Sequence, residues 1–168
     1  MTQVPTPLGD LTAWMVVAAN VVGWVGWMLL VGWAAHRAPL RRFDHDTWLT
    51  RPRSVERDGR WYEARLHIVR WKDWLPEGGG FYRGGFAKRT VAGGDVDVMR
   101  RFVAETRRAE YAHWLMMAAT PVFFLWNAWW GDVLNVVFAL TVNLPCLMVQ
   151  RYNRARLTRV IRRRDGSR

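Results

Sequence analysis

Glu110 and His113 stand three residues apart in the stretch FVAETRRAEYAHW (residues 102–114), where a charged helical run passes directly into an apolar one. On a helix, positions i and i+3 share a face. A carboxylate and an imidazole at the entrance to a bilayer are costly enough to read first as functional groups. Imidazole titrates near neutrality, which makes His113 the natural general base for taking a proton from a hydroxyl. Glu110, one turn earlier, can orient the ring and stabilise its charged form, as the acid does in a Ser-His-Asp triad. The plainer reading makes His113 an interfacial residue bonded to a backbone carbonyl. The E-x-x-H spacing alone does not imply a metal, which would need further ligands.

Three apolar runs position this pair. Residues 11–35 carry no charge and are long enough to cross about 30 Å of hydrocarbon at about 1.5 Å per residue. Nothing basic precedes them and Asp10 is the only charge ahead, so the run reads as a retained transmembrane helix and not as a cleaved signal. Residues 111–130 and 133–150 form the other two runs, with Trp130, Gly131 and Asp132 as a tight turn. Pro121 and Pro145 fall inside them, which membrane helices tolerate because neighbours satisfy the freed carbonyl. Net charge alternates with the runs: −1 over 1–35, +6 over 36–110, −1 over 111–150 and +7 over 151–168, making up the +11 of the chain. The positive-inside rule then places the N-terminus outside and the C-terminus in the cytoplasm. Tryptophan prefers the lipid–water interface, and Trp14, Trp129 and Trp130 fall near the outer ends of the runs, Trp114 near an inner end. The expected fold is all-α, a single membrane domain over 1–168. It is a polytopic, multi-pass cell-membrane protein with three transmembrane helices, cytoplasmic interfacial helices in 36–110 and a basic cytoplasmic tail, 151–168. A soluble three-helix protein is the alternative that the charge distribution opposes.

In the cytoplasmic segment, Pro39 and Pro52 make 36–54 irregular. From Trp61, apolar residues recur at helical spacing (Trp61, Tyr62, Leu66, Val69) with Glu63, Arg70 and Lys72 elsewhere on the wheel. This predicts an amphipathic interfacial helix ended by Leu75-Pro76. Residues 78–89 form a glycine-rich loop whose Arg83, Lys88 and Arg89 could meet a phosphate. The loop lacks the closing Gly-Lys-Ser/Thr of a P-loop, and a flexible connector is its plain reading. Asp95 follows Gly93-Gly94 as a cap for a helix that nothing stops before Pro121, with Arg101–Glu105 and Arg107–Glu110 as supporting pairs. The basic residues flank membrane runs, and neither zinc-finger spacing nor an RNA-binding signature occurs. The expected counterpart is therefore an anionic lipid or a phosphorylated metabolite, not nucleic acid. Cys146 is alone, so there is no disulfide framework.

Two blocks, ETRRAEYAHW (Glu105–Trp114) and NLPCLMVQRYNRARL (Asn143–Leu157), resemble signatures of the glycosyl-4,4′-diaponeurosporenoate acyltransferases. RWKDWLP (Arg70–Pro76) resembles a third. The similarity spans roughly residues 55–165, with an N-terminal hydrophobic segment similar in kind, and the run QRYNR is unusual enough to make chance a poor explanation. The resemblance implies a small integral membrane enzyme late in staphyloxanthin-type carotenoid synthesis. Such an enzyme transfers a fatty acyl group to a sugar hydroxyl of a glycosylated carotenoid ester.

Acyl transfer from a thioester to a hydroxyl needs a base and donors for the developing oxyanion. His113 with Glu110 would serve as the base, and Asn143 and Gln150, seven residues apart on one helical stripe, as oxyanion donors. Arg107, Arg151 and Arg154 are the expected contacts to the phosphate of an acyl carrier. Asn153, Lys72 and Lys88 complete the substrate-binding set. The plain alternative is that the arginines anchor the helix end and bind headgroups, which is the reading for Arg159 to Arg164. A Cys146–His113 pair forming an acyl-cysteine is conceivable, but buried cysteine more often packs, and direct transfer is the expectation. No metal and no resident cofactor are expected; acyl-CoA or acyl-carrier protein is a co-substrate and a glycosylated lipid the acceptor. Homo-oligomerisation fits a wall only three helices thick. Two rivals remain: a non-enzymatic membrane adaptor docking through its basic face, and a glycosyl- or phosphotransferase with a metal cluster built on Asp44 and Asp46 around His45.

Overall fold

The computed structural model describes residues 2–75 and 95–166, and the chain is mostly helical. A short antiparallel hairpin opens it, β1 (Gln3–Thr6) paired with β2 (Gly9–Thr12) in the register Gln3↔Thr12. Then come α1 (Ala13–Arg37), 3-10 turns at Leu40–Phe43 and Ser54–Gly59, α2 (Arg60–Leu66), α3 (Ile68–Trp71) and a 3-10 turn at Lys72–Trp74. The chain ends with α4 (Val96–Ala118), the short α5 (Thr120–Phe123) and α6 (Trp129–Asp165). The glycine-rich loop, with Arg83, Lys88 and Arg89, lies outside the described residues.

The hairpin is the one departure from an all-α fold among the described residues. Thr6 Oγ1 donates to the Gly9 carbonyl at 2.7 Å and accepts from the Leu8 N–H, closing the turn through the hydroxyl in the manner of an ST turn.

Helices α1 and α6 are long and apolar enough to cross a membrane, and most of each apolar window is exposed rather than buried inside the protein. A soluble core helix would be buried, so this exposure fits a bilayer as the surrounding solvent. The second apolar run, 111–130, is not one helix: α4 stops at Ala118, α5 is one turn, and α6 starts at Trp129. Pro121 is the cause, because its ring removes the N–H that would have bonded the Met117 carbonyl. Thr120 Oγ1 donates to that carbonyl instead, at 2.7 Å. The turn also falls earlier than expected. Trp130, Gly131 and Asp132 lie inside α6, and a Cβ at Gly131 would come within 2.7 Å of Asn127 Oδ1, so glycine there makes room for Asn127. Pro145 sits in the interior of α6 without ending it.

The chain divides into two compact units. The first, Met1–Ala35 with Ala112–Leu144, packs three segments around Trp24, Ala119, Phe123 and Ala139, with Trp24 stacked on Phe123 at 4.3 Å. A polar cluster sits within this apolar bundle. Asn20 and Asn127 exchange amide hydrogen bonds at 2.9 Å in both directions. Trp126 Nε1 and Asn135 Nδ2 also donate to Asn20 Oδ1, and Trp24 Nε1 donates to Asn135 Oδ1 at 2.7 Å. Replacing Asn20 with leucine takes the acceptor away from three hydrogen bonds and leaves the Trp126 indole N–H without a partner among the described residues. The expected cost is about 2 kcal/mol, allowing roughly 0.6 kcal/mol for each bond in a bilayer and more for the donor stranded. Thermal unfolding in detergent micelles reads this as a lowered midpoint; an unchanged midpoint would show the cluster to be energetically idle.

The second unit, His36–Tyr111 with Pro145–Arg168, packs Tyr62, Ile68, Val149 and Tyr152 together. The single amphipathic helix expected from Trp61 is broken at His67, a non-glycine residue at φ 48°. The break lets Ile68 be fully buried while Val69 stays 54% exposed, and Trp71 Nε1 bonds the Leu66 carbonyl at 2.9 Å. Gly59, at φ 92°, starts α2 in a left-handed conformation that favours glycine. Asp95 caps α4 as expected, its Oδ1 accepting from the Asp97 N–H at 2.9 Å.

Candidate active site

The apolar part of α4 and the middle of α6 bring His113 to Asn143. Nδ1 of the imidazole lies 2.9 Å from Asn143 Oδ1, and Asn143 Nδ2 donates to the Ala139 carbonyl at 2.8 Å. Asn143 is 2% exposed and His113 is half-buried. An asparagine in the middle of an apolar helix requires a partner, and here the partner is the one imidazole in the bundle. The Asn143 amide is thereby engaged at both its oxygen and its nitrogen. In the same bundle, Trp114 Nε1 is buried and has no hydrogen-bond partner among the described residues.

Glu110 was expected to orient the imidazole; the partners it shows within its own unit are arginines. Its side chain is fully buried in the second unit, with Arg151 Nη1 at 2.5 Å from Oε1. Arg154 Nη2 lies 2.6 Å from Oε2, close enough for an ion pair but not aligned as a hydrogen bond. Arg151 also binds Glu56 through Nε at 2.7 Å. Two glutamates and two arginines thus form a buried, charge-balanced set. The expected i,i+3 pair Arg107–Glu110 is replaced by Arg107–Asp46 at 2.6 Å, and Glu105 pairs with Arg108 at 2.5 Å.

The same arginines hold the irregular segment before α2. Arg107 Nη1 donates to the carbonyls of Phe43 and Asp44, Arg151 to those of Leu49 and Arg51, and Arg154 to that of Thr50. A buried carbonyl needs a donor, and three helical guanidinium groups supply them to a stretch that two prolines keep irregular. Arg107, Arg151 and Arg154 were expected to contact a substrate phosphate; the structure commits their donors largely to the chain itself. Burial, followed by the neighbouring Glu56 carboxylate, pushes the Tyr62 hydroxyl up to about 12, and it donates to Glu56 at 3.1 Å. Tyr62 was read as part of the apolar face of an interfacial helix, and its bond to Glu56 ties the hydrophobic cluster to the charged set.

The remaining predicted residues lie apart from these contacts. Gln150 and Asn153 are half-buried on α6. Lys72 binds its neighbour Asp73 at 2.7 Å. Lys88 falls outside the described residues. Asp46, one of the two aspartates around His45, is held by Arg107. Asn20, Asn127 and Asn135 were not singled out from the sequence, although the rule that points to Asn143 applies equally to each.

A family model described as glycosyl-4,4′-diaponeurosporenoate acyltransferase matches residues 45–163 of the chain. The chain belongs to this family. Membership makes it an acyltransferase. Among its relatives are the glycosyl-4,4′-diaponeurosporenoate acyltransferases of Staphylococcus aureus strain MRSA252, 26% identical over 159 residues, and strain N315, 24% identical over 157 residues. Each alignment covers 92% of this chain and 88% of the relative. No solved structure matches the chain. The family match begins at residue 45, inside the stretch 36–54 that lies outside the motif resemblance, and much of that stretch is held by Arg107, Arg151 and Arg154.

Proposed function

We propose that this acyltransferase moves a fatty acyl group from a thioester donor, acyl-CoA or acyl-carrier protein, to a sugar hydroxyl of a glycosylated carotenoid or similar glycolipid, with His113 as the general base. The observation that carries the reading is the imidazole of His113 held by a buried amide, within the residues that the family model matches. The acceptor class is taken from the names of the relatives.

In this reading the chain crosses the cell membrane three times. The crossings are α1, the apolar end of α4 continued by α5, and the apolar part of α6. The N-terminus is outside, and the basic segment and tail face anionic lipid in the cytoplasm. Trp14 and Trp129, 63% and 77% exposed, suit the outer interface. α2 and α3 lie near the cytoplasmic surface.

The acceptor hydroxyl gives its proton to Nε2 of His113 as its oxygen attacks the thioester carbonyl. The new C–O bond forms a tetrahedral oxyanion, which collapses, breaks the C–S bond and releases the thiolate. The imidazolium returns its proton to that sulfur, so the base is regenerated and no redox partner is needed. Gln150 keeps the oxyanion-donor role that its place in the sequence suggests, and within the first unit the buried indole N–H of Trp114, without a partner among the described residues, is a further donor. Arg154, whose Nη1 has no partner among the described residues, and Asn153, Lys72 and Lys88 serve substrate binding.

Purified protein in detergent is to be mixed with palmitoyl-CoA or palmitoyl-carrier protein and glycosyl-4,4′-diaponeurosporenoate, and the product weighed by mass spectrometry. The acceptor should gain the mass of one acyl group less one hydrogen. An unmodified acceptor with both donors would contradict the proposed substrate pair and favour an adaptor or a different acceptor.

A further inference from the structure

We propose that Asn143 is the positioning residue that fixes the tautomer of His113, holding the proton on Nδ1 and leaving the Nε2 lone pair for the acceptor hydroxyl. The inference rests on the proposed role of His113 as base. Its warrant is the direction of two hydrogen bonds. Asn143 Nδ2 lies 2.8 Å from the Ala139 carbonyl. Turning the amide over would set two oxygens face to face there, so the amide has one orientation. Oδ1 therefore faces His113, and a neutral imidazole 2.9 Å away must meet an acceptor with an N–H.

The same device occurs twice more at intervals of eight residues. Asn127 Nδ2 donates to the Phe123 carbonyl at 2.8 Å while its Oδ1 accepts from Asn20. Asn135 Nδ2 donates to the Gly131 carbonyl at 2.9 Å while its Oδ1 accepts from Trp24 Nε1 at 2.7 Å. An indole nitrogen can only donate, so the Asn135 pair fixes the sense of the pattern without assumption. In each case the amide N–H is anchored four residues back and the oxygen is presented to a donor from another segment. At position 143 that donor is the catalytic imidazole. A base with its proton on the wrong nitrogen cannot act until it rotates or exchanges that proton.

The test is ¹⁵N NMR of the protein with labelled histidine, in detergent, at a pH where imidazole is neutral. His113 is identified among the four histidines by the signal lost in His113→Gln. Wild type should show Nδ1 protonated and Nε2 bare. Asn143→Asp, as the protonated acid whose hydroxyl can replace Nδ2 as donor to the Ala139 carbonyl, keeps the acceptor oxygen and should keep both this signature and most of the turnover. Asn143→Leu should release the ring toward the Nε2-protonated form. Its kcat should drop at least about tenfold, toward the roughly 10⁴-fold that a wrong tautomer costs a triad enzyme, with KM changed by less than about twofold. Nε2 protonated in wild type would overturn the inference even if Asn143→Leu does not fold. So would a folded Asn143→Leu with wild-type kcat, or an Asn143→Asp as impaired as the leucine variant. Full turnover by His113→Ala would instead remove the base reading itself, whatever the Asn143 variants do.

Discussion

Glu110→Ala is expected to destabilise the protein by about 3–5 kcal/mol, the range found when one partner of a buried ion pair is removed. Glu110 is fully buried, and Arg154, 2% exposed, meets the carboxylate and the Thr50 carbonyl and no other acceptor among the described residues. Without the carboxylate, Arg154 becomes an uncompensated buried charge, and among the described residues Arg151 keeps Glu56 alone as a counter-charge. Such a loss is a large fraction of the roughly 5–15 kcal/mol that holds a domain together. Denaturant or thermal unfolding in micelles measures it. The expected companion is a strong non-additivity: Glu110→Met with Arg154→Met should cost less than the sum of the two single changes, because the double change leaves no unpaired charge on that side. A Glu110→Ala protein that unfolds like wild type but has lost turnover would return Glu110 to the catalytic role that its spacing from His113 first suggested.

His113→Ala should leave folding nearly intact and lower kcat by about 10²–10⁴-fold, the usual contribution of a general base. Among the described residues the ring makes one side-chain hydrogen bond, to Asn143, so truncation removes little packing from a half-buried position. KM should change little, since proton removal is an interaction made in the transition state. Cys146→Ser is the complementary case. Cys146 is a free, partly buried thiol, and direct transfer predicts that its replacement preserves turnover. Initial rates of acyl transfer with circular dichroism as the folding control measure both. Wild-type kcat in a folded His113→Ala would place the base elsewhere.

Much of the fold is legible in the sequence. A charge-free run of twenty-five residues, 11–35, has one economical structure in lipid, and α1 occupies Ala13–Arg37. Asp95 after two glycines marked the start of α4 for the reason that caps work, an oxygen offered to free N–H groups. Pro121 was visible too, but whether a proline kinks a helix or ends it depends on who takes the freed carbonyl. Here the neighbouring Thr120 does so, and the helix ends. The site was half legible. His113 and Asn143 were both expected, but their pairing joins positions thirty residues apart, and helical spacing reports only neighbours three or four away. That limit also explains Glu110. Its true partners lie forty-one and forty-four residues on, at Arg151 and Arg154, whereas periodicity offered His113 and Arg107. The polar bundle of Asn20, Asn127 and Asn135 carried a readable signal that went unused, asparagines repeating at intervals of eight through apolar sequence.

The most direct test of the account is acyl transfer from radiolabelled palmitoyl-CoA to glycosyl-4,4′-diaponeurosporenoate by wild type and His113→Ala, purified side by side in detergent. The account predicts label in the acceptor with wild type and almost none with the folded variant. Equal label from both proteins would contradict it.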